Sequence, residues 1–599
     1  MHSLALRVSL SSSSSPNGPA RRFLSLTSRL AGAVGLCALP LGCGTPEPAP
    51  PAPPAVIPYQ PPPASAVVET GALSIRREVL RVPAPAPPRN PDAAQGGETP
   101  AEYNALRVVR YRVDTGSDSP RPARAIVVLM PGFLGGAGSY DPLARALVRR
   151  STAGEAIEAW AIDRRSNFLE DHHGLEVAQV RSDPELARRY YFGGEAIEGR
   201  TYAGVRPPEG LAYMSEWGLS TTIADLRAAI ALVPPAERKG RVVLVGHSLG
   251  ASIVEEYAAW DFAGQPGFAE LAGLVLVDGT SASEGSAAPA VTRQQYEQGS
   301  MLGGFPAPGL LQIRKNAPYF VLPLLGSEVY TVAGVSGLRA ALRPTEVTTD
   351  SDRDATLRIL LGLRQLPSMT NRAALGFSFD RAYNSLSFAS VACGAATGGP
   401  VTQYTGVLGD QLLHPSDPGA TYDWVDYAQS SPTGNTALDE LARAWFEGPG
   451  LDFGEWYFPS RLSLDAPAAG TLVLAPTDWP LADYGLRAIH GRQMDLPILA
   501  AAASLVGKGH GDASAYDRLR ALVATVPIGP QRPAAGTPRT QPEAFEAIGY
   551  PDLTHIDPLM GADTAVSKTR PFYDALHRFA VRNTVPGGVV IDATAPAHP

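Results

Sequence analysis

Arg241–Gly250 reads RVVLVGHSLG. Val242, Val243, Leu244 and Val245 favour a strand and run straight into Gly246-His247-Ser248-Leu249-Gly250. The next ten residues, Ala251–Trp260, carry the apolar pattern of a helix. A G-x-S-x-G between strand and helix is the context of a nucleophile elbow. A serine on so tight a turn holds a strained backbone, and side chains two residues to either side would collide. Gly246 and Gly250 have no side chain to offer. The hydroxyl of Ser248 is expected to stand clear of the sheet, above a helix N-terminus whose N–H groups favour developing negative charge.

Strand and helix signals alternate on both sides of this turn. Ala72–Arg81 and Tyr103–Val113 read as a leading strand pair. Ala125–Met130 is a short continuous apolar run, the pattern of a strand buried on both faces. Asp141–Arg150 reads as a helix with Ser139 or Asp141 at its cap, Ile157–Ile162 as a strand ending in Asp163-Arg164-Arg165, and Thr221–Leu232 as an amphipathic helix. Leu274–Val277 is a further buried strand that ends in Asp278-Gly279. A strand at Asp495–Ala502, a helix at Ser514–Thr525, the stretch Phe545–Tyr550 and a closing helix at Lys568–Arg582 complete the series. This alternation predicts α/β architecture with a doubly wound, mostly parallel sheet.

With 599 residues, 44% of them hydrophobic, the chain exceeds one ordinary domain. Only 18% of residues are charged and the net charge is −8, which excludes a basic nucleic-acid surface. Three cysteines, Cys37, Cys43 and Cys393, exclude a disulfide framework. Arg21-Arg22 precedes the apolar stretch Leu30–Cys43, which reads as an export signal too short for a transmembrane helix. Leu41-Gly42-Cys43 resembles the lipobox of bacterial lipoproteins, although Pro40 replaces the usual leucine; the alternative is ordinary secretory cleavage. The resemblance implies lipidation at Cys43 and a place in the bacterial cell envelope. Thr45–Pro63 is dense in proline and alanine and reads as a spacer.

Ala123–Gly279 and Asp495–Arg582 together resemble the α/β-hydrolase superfamily. The expected organisation is an export segment at 1–43, a linker at 44–64, a hydrolase core at 65–280 and 495–599, and an insertion at 281–494. The insertion is too long for a loop. The resemblance implies a mainly helical cap over the serine, with helices at Ala355–Leu366 and Thr436–Phe446; a separate domain is the alternative. Gly303–Pro308 and Ser430–Asn435 read as turns, and Gly470–Ala475 as a strand of the cap or the core.

Ser248 needs a base to become nucleophilic at neutral pH. The resemblance implies His555, which follows the last strand and precedes the last helix, whereas His247 reads as a wall of the pocket. A carboxylate must orient the imidazole. Members of the superfamily carry it after the penultimate strand, where the usual position has no acid and Asp512 comes late, or at the tip of the strand after the elbow helix; the resemblance thus implies Asp278, with Asp512 as the alternative. Asp478 and Asp517 are further alternatives. The oxyanion donors implied are the backbone N–H groups of Leu249 and Phe133. Glu170-Asp171-His172-His173 lacks the spacing of a metal site, and no metal or cofactor is expected. Serine at the elbow argues against dehalogenase and epoxide hydrolase chemistry, which the resemblance would place on a carboxylate there. The expected activity is hydrolysis of carboxylic esters, lipid or small, through an acyl-enzyme. The rival is a non-catalytic envelope protein that binds a ligand or partner on the same fold.

Overall fold

Every residue of Val242–Val245 and Leu274–Val277 is buried, as a strand covered on both faces must be. In the computed structural model these runs lie at the centre of a nine-stranded sheet. The structure describes residues 64–591 except 118–119, 282–290, 303–304, 322–327, 349–365, 385–388, 407–409, 427–434, 448–452, 475–478 and 507–509. Cys43 and most of Ala355–Leu366 lie outside the described residues.

The strands are β1 (Ser65–Glu69), β2 (Ile75–Pro83), β3 (Ala105–Val113), β4 (Ala123–Met130), β5 (Ala156–Asp163), β6 (Val242–His247), β7 (Gly273–Val277), β8 (Ile498–Ala502) and β9 (Phe545–Gly549). Their order is β1-β2-β3-β5-β4-β6-β7-β8-β9. β5, β4, β6, β7, β8 and β9 are mutually parallel. β1, β2 and β3 add an antiparallel edge, with β2 and β3 paired from Ile75↔Val113 to Pro83↔Ala105. The short β1 was not read from the sequence.

The two-residue alternation of a strand divides the core. Ala125, Val127 and Leu129 of β4 pack with α1 (Asp141–Arg149) on one face. Ile126, Val128 and Met130 pack on the other with α2 (Leu219–Ile230) and α3 (Leu249–Ala259). α1 has no side-chain cap: Ser139 bonds the Gly136 carbonyl and Asp141 accepts from Tyr111 and Arg145.

Two segments leave the sheet. The first, between β5 and α2, was not anticipated; it carries helices at His173–Val180 and Pro184–Gly193 and a tyrosine- and tryptophan-rich cluster. The second runs from β7 to β8. Helices predominate in it, yet it also holds small sheets, such as the hairpin Gly299–Leu302 with Phe305–Pro308 and the pairing of Gly394–Thr397 with Thr421–Asp426. The expected strand at Gly470–Ala475 is instead the end of helix α4 (Ser460–Leu474). Leu462, Ala466, Ala469 and Val473 are its buried stripe, at helical spacings of four, three and four, which Pro467 disguises in the sequence. The helix expected at Ser514–Thr525 is shorter, a 3-10 turn at Ala513–Tyr516 followed by Asp517–Leu522. The chain closes on α5 (Asp557–Met560) and α6 (Arg570–Asn583).

Two buried carboxyl groups of α3 hold the root of the second segment. Thr280 Oγ1 donates to Glu255 at 2.7 Å and Ser281 Oγ to Glu256 at 3.1 Å. Burial pushes Glu255 up to about 7 against the Thr280 hydroxyl and the Ser281 N–H, which also donates to it at 3.0 Å. An unfolded Glu255 loses its proton near pH 4.3, so the stability that Glu255 contributes falls as pH rises from there to about 7, above which its own contribution is level. Glu255→Gln, neutral at every pH, is expected to raise stability at pH 8 by on the order of 3 kcal/mol and to leave it unchanged at pH 4. Urea unfolding at the two pH values measures this; an equal shift at both would refute the assignment.

Candidate active site

The carboxyl ends of parallel strands converge where residues after β4, β6, β7 and β9 meet, the usual place for a site on such a sheet. Ser248 follows β6 with φ 57° and ψ −127°, a backbone that L-residues rarely adopt. Its N–H donates to the Val277 carbonyl at 2.9 Å, which ties the turn to β7. The elbow tolerates no side chain at Gly246, where a Cβ would lie 2.1 Å from the Gly250 carbonyl oxygen. Gly132, after β4, abuts the serine just as closely: a Cβ there would lie 2.7 Å from Ser248 Cβ. Ser248 itself is half-buried and Leu249 starts α3.

His555 and Asp278 are brought together from positions 277 residues apart, with His555 Nδ1 and Asp278 Oδ2 at 2.7 Å. Asp278 is fully buried and also accepts backbone N–H bonds from Ala503 at 2.8 Å, Leu505 at 2.9 Å and Val506 at 3.2 Å. Burial pushes its carboxyl up, but His555 and the loop N–H groups outweigh it and hold Asp278 below the usual carboxylate range. Asp278 thus occupies the loop after β8 from the tip of β7, so that loop needs no acid of its own.

The other acids considered lie elsewhere. Asp512 caps the 3-10 turn that follows, accepting from Ser514 N at 3.2 Å and Oγ at 2.6 Å. Asp517 is an exposed partner of Arg520, and Asp478 lies outside the described residues. His247 is not a pocket wall. It is buried, its ring centroid lies 4.3 Å from that of His555, and its Nε2 donates to the His555 carbonyl at 2.7 Å. Burial and the neighbouring His555 lower it to about 3, so it is neutral at physiological pH and supports the His555 backbone as a donor.

Phe133 lies on the loop after β4, its ring 5.0 Å from Phe320 and 4.8 Å from Phe458 of the second segment. The charged residues at the end of β5 part company. Asp163 pairs with Arg107 at 2.9 Å and Arg165 with Asp225, while Arg164 turns to the Phe133 loop. The strand-end charges read from the sequence as an internal ion pair do pair internally, but the sequence does not give the partner of Arg164, because Glu455 stands 291 residues away. In the acidic-histidine stretch His172 bonds Glu170 at 2.8 Å, and Asp171 accepts from Tyr190 at 2.8 Å. No group of metal-ligating side chains occurs among the described residues. Cys393 is buried, and desolvation raises its thiol well above the usual range. Among the described residues no helix is long and apolar enough to cross a membrane.

No protein-family model matches this chain, and no curated protein matches it. Solved structures similar to it include the peroxisomal alpha-beta-hydrolase Lpx1 of Saccharomyces cerevisiae, at 10% identity and TM-score 0.33 over 88% of this chain and 94% of that one. A thermophilic esterase from Thermogutta terrifontis is 10% identical at TM-score 0.30, over 85% and 100%. The esterase RhEst1 from Rhodococcus sp. ECU1013 is 13% identical at TM-score 0.26, over 79% and 94%. Similarity at this level carries no argument about substrate. Six parallel strands beside an antiparallel N-terminal edge, doubly wound by helices, with the strained turn at Ser248 leading from β6 into α3, make this chain an α/β-hydrolase in fold.

Proposed function

We propose that this protein is a serine hydrolase that cleaves carboxylic esters through an acyl-enzyme. The observation that carries the reading is the strained Ser248 at the elbow together with the buried 2.7 Å pair of His555 and Asp278. Ser248 Oγ attacks the ester carbonyl carbon while its proton passes to His555 Nε2. Asp278 at Nδ1 keeps Nε2 free to accept that proton and stabilises the imidazolium. The carbonyl oxygen takes the electron pair and faces the N–H groups of Leu249 and Phe133. Collapse expels the alcohol, which leaves with the proton from His555. Water then repeats the steps on the acyl-enzyme and releases the acid. The rings of Phe133, Phe320 and Phe458 beside the oxyanion loop favour an apolar substrate.

Incubation with a fluorophosphonate probe should label the folded protein once, on the peptide that contains Ser248, and short p-nitrophenyl esters should be hydrolysed. A folded protein that neither labels nor hydrolyses them would sink the reading in favour of a binding protein.

The arginine-led apolar segment before Cys43 and the proline-rich stretch behind it support export to a bacterial envelope, with the enzyme held on a lipid-modified Cys43. Mass spectrometry of the mature protein should find Cys43 acylated at the N-terminus; a mature chain starting elsewhere would replace the anchor with ordinary secretion.

A further inference from the structure

The loop after β4 has a backbone problem. Gly132 has no Cβ and a Cβ there would lie 2.7 Å from Ser248 Cβ, so the Gly132–Phe133 peptide lies directly against the nucleophile and its orientation matters. In a trans peptide the carbonyl and the N–H point in opposite directions. Turned one way, this peptide presents the Phe133 N–H to the reacting oxygen; turned the other, it presents a carbonyl that repels it.

Two donors decide between these orientations, the Gly135 N–H, which reaches the Gly132 carbonyl at 3.3 Å, and Arg164, which reinforces that turn from outside it. Arg164 is 5% exposed, and its guanidinium donates to the Gly132 carbonyl at 3.0 Å, to the Gly135 carbonyl at 3.2 Å and to the Pro131 carbonyl. Holding the Gly132 oxygen on the Arg164 side directs the Phe133 N–H away from it. Glu455 holds Arg164 in turn, at 2.7 Å, and also accepts from Ser166. Glu455 is fully buried and belongs to the second segment, whose backbone pairs with the same loop: Glu455 N donates to the Leu134 carbonyl at 2.9 Å, and Gly136 N to the Phe453 carbonyl at 2.9 Å. Leu134, which accepts the first of these bonds, has φ 57°. The Phe133 ring is wedged against Phe458 from the same stretch.

We propose that Arg164 is a positioning residue which, held by Glu455, locks the Gly132–Phe133 peptide with its N–H toward the oxyanion. Residues 453–458 are therefore part of the catalytic apparatus and not only a cover over it. The proposal rests on the reading of the Phe133 N–H as an oxyanion donor. The guanidinium matches the task because its planar fork reaches several carbonyl oxygens and one carboxylate together, as a lysine ammonium does not.

The test compares the full chain with Arg164→Met, Arg164→Lys and Glu455→Gln, using a p-nitrophenyl ester and a trifluoromethyl ketone inhibitor whose serine adduct carries an oxyanion. Arg164→Met should lower kcat by about 10²–10³-fold, the loss seen when an oxyanion donor is removed, with KM changed less than about threefold. The inhibition constant for the ketone should rise by the same factor as kcat falls. Arg164→Lys should recover part of the loss, and Glu455→Gln, equal in volume, should cost about tenfold in kcat. If Arg164→Met does not fold, Glu455→Gln carries the test. A kcat and ketone affinity equal to wild type in Glu455→Gln and in any folded Arg164 variant would overturn the proposal. So would a loss confined to KM. An inert wild-type protein would overturn the hydrolase reading and this proposal together.

Discussion

Ser248→Ala is expected to lower kcat for short p-nitrophenyl esters by about 10⁶-fold and to abolish fluorophosphonate labelling. The substitution removes one atom, the nucleophile, from a half-buried position and leaves the turn otherwise intact. The substituted alanine keeps a Cβ, so the positive φ costs it the same strain as the serine, and the hydrogen bond from the backbone N–H to Val277 remains. Stability should stay within about 0.5–1 kcal/mol of the parent, which separates loss of chemistry from loss of fold. Residual hydrolysis above the uncatalysed rate, from water attacking a substrate bound in the oxyanion site, is consistent with this mechanism. Turnover within tenfold of wild type would place the nucleophile elsewhere.

Asp278→Asn is expected to lower kcat by about 10⁴-fold, while Asp512→Asn changes it less than about twofold. Asp278 accepts four hydrogen bonds, one from His555 Nδ1 and three from the backbone of Ala503, Leu505 and Val506. An asparagine there must aim its NH₂ either at the Ala503 and Val506 N–H groups on the Oδ1 side or at His555 and the Leu505 N–H, which share the Oδ2 side. The first sets donor against donor in a buried site. The second also meets a donor, the Leu505 N–H, and in addition makes Nδ1 an acceptor and puts the proton on Nε2, where it blocks transfer from Ser248. Asp512 caps a 3-10 turn through Ser514, and the amide of an asparagine keeps the acceptor oxygen for that cap. The two kcat values measured side by side decide the matter. A large loss in Asp512→Asn with none in Asp278→Asn would reverse the assignment.

Ser248, His555 and Asp278 were each named from the sequence, but on different grounds. The elbow is a local object, in which strand-forming valines, two glycines and a following helix lie within about twenty residues. His555 was reached through chain order relative to the elbow. For the acid, chain order left Asp278 and Asp512 both open, because each follows a strand of the same sheet. The β7–β8 pairing settles where they go: Asp278 N donates to the Ala501 carbonyl at 2.7 Å, and this register delivers the carboxylate to the loop after β8. α4 was misread for a local reason, a proline inside its buried stripe.

The sequence by itself determined the layered α/β sheet and the serine turn, because continuous apolar runs and the demands of a tight turn are properties of neighbouring residues. Tertiary structure alone decided which carboxylate meets His555, that His247 supports the His555 backbone, and that Arg164 and Glu455 hold the loop of Phe133. These are contacts of side chains with residues up to 308 positions away. Their energies arise only when separate strands are brought into register and water is removed from between them, and no periodicity along the chain records that.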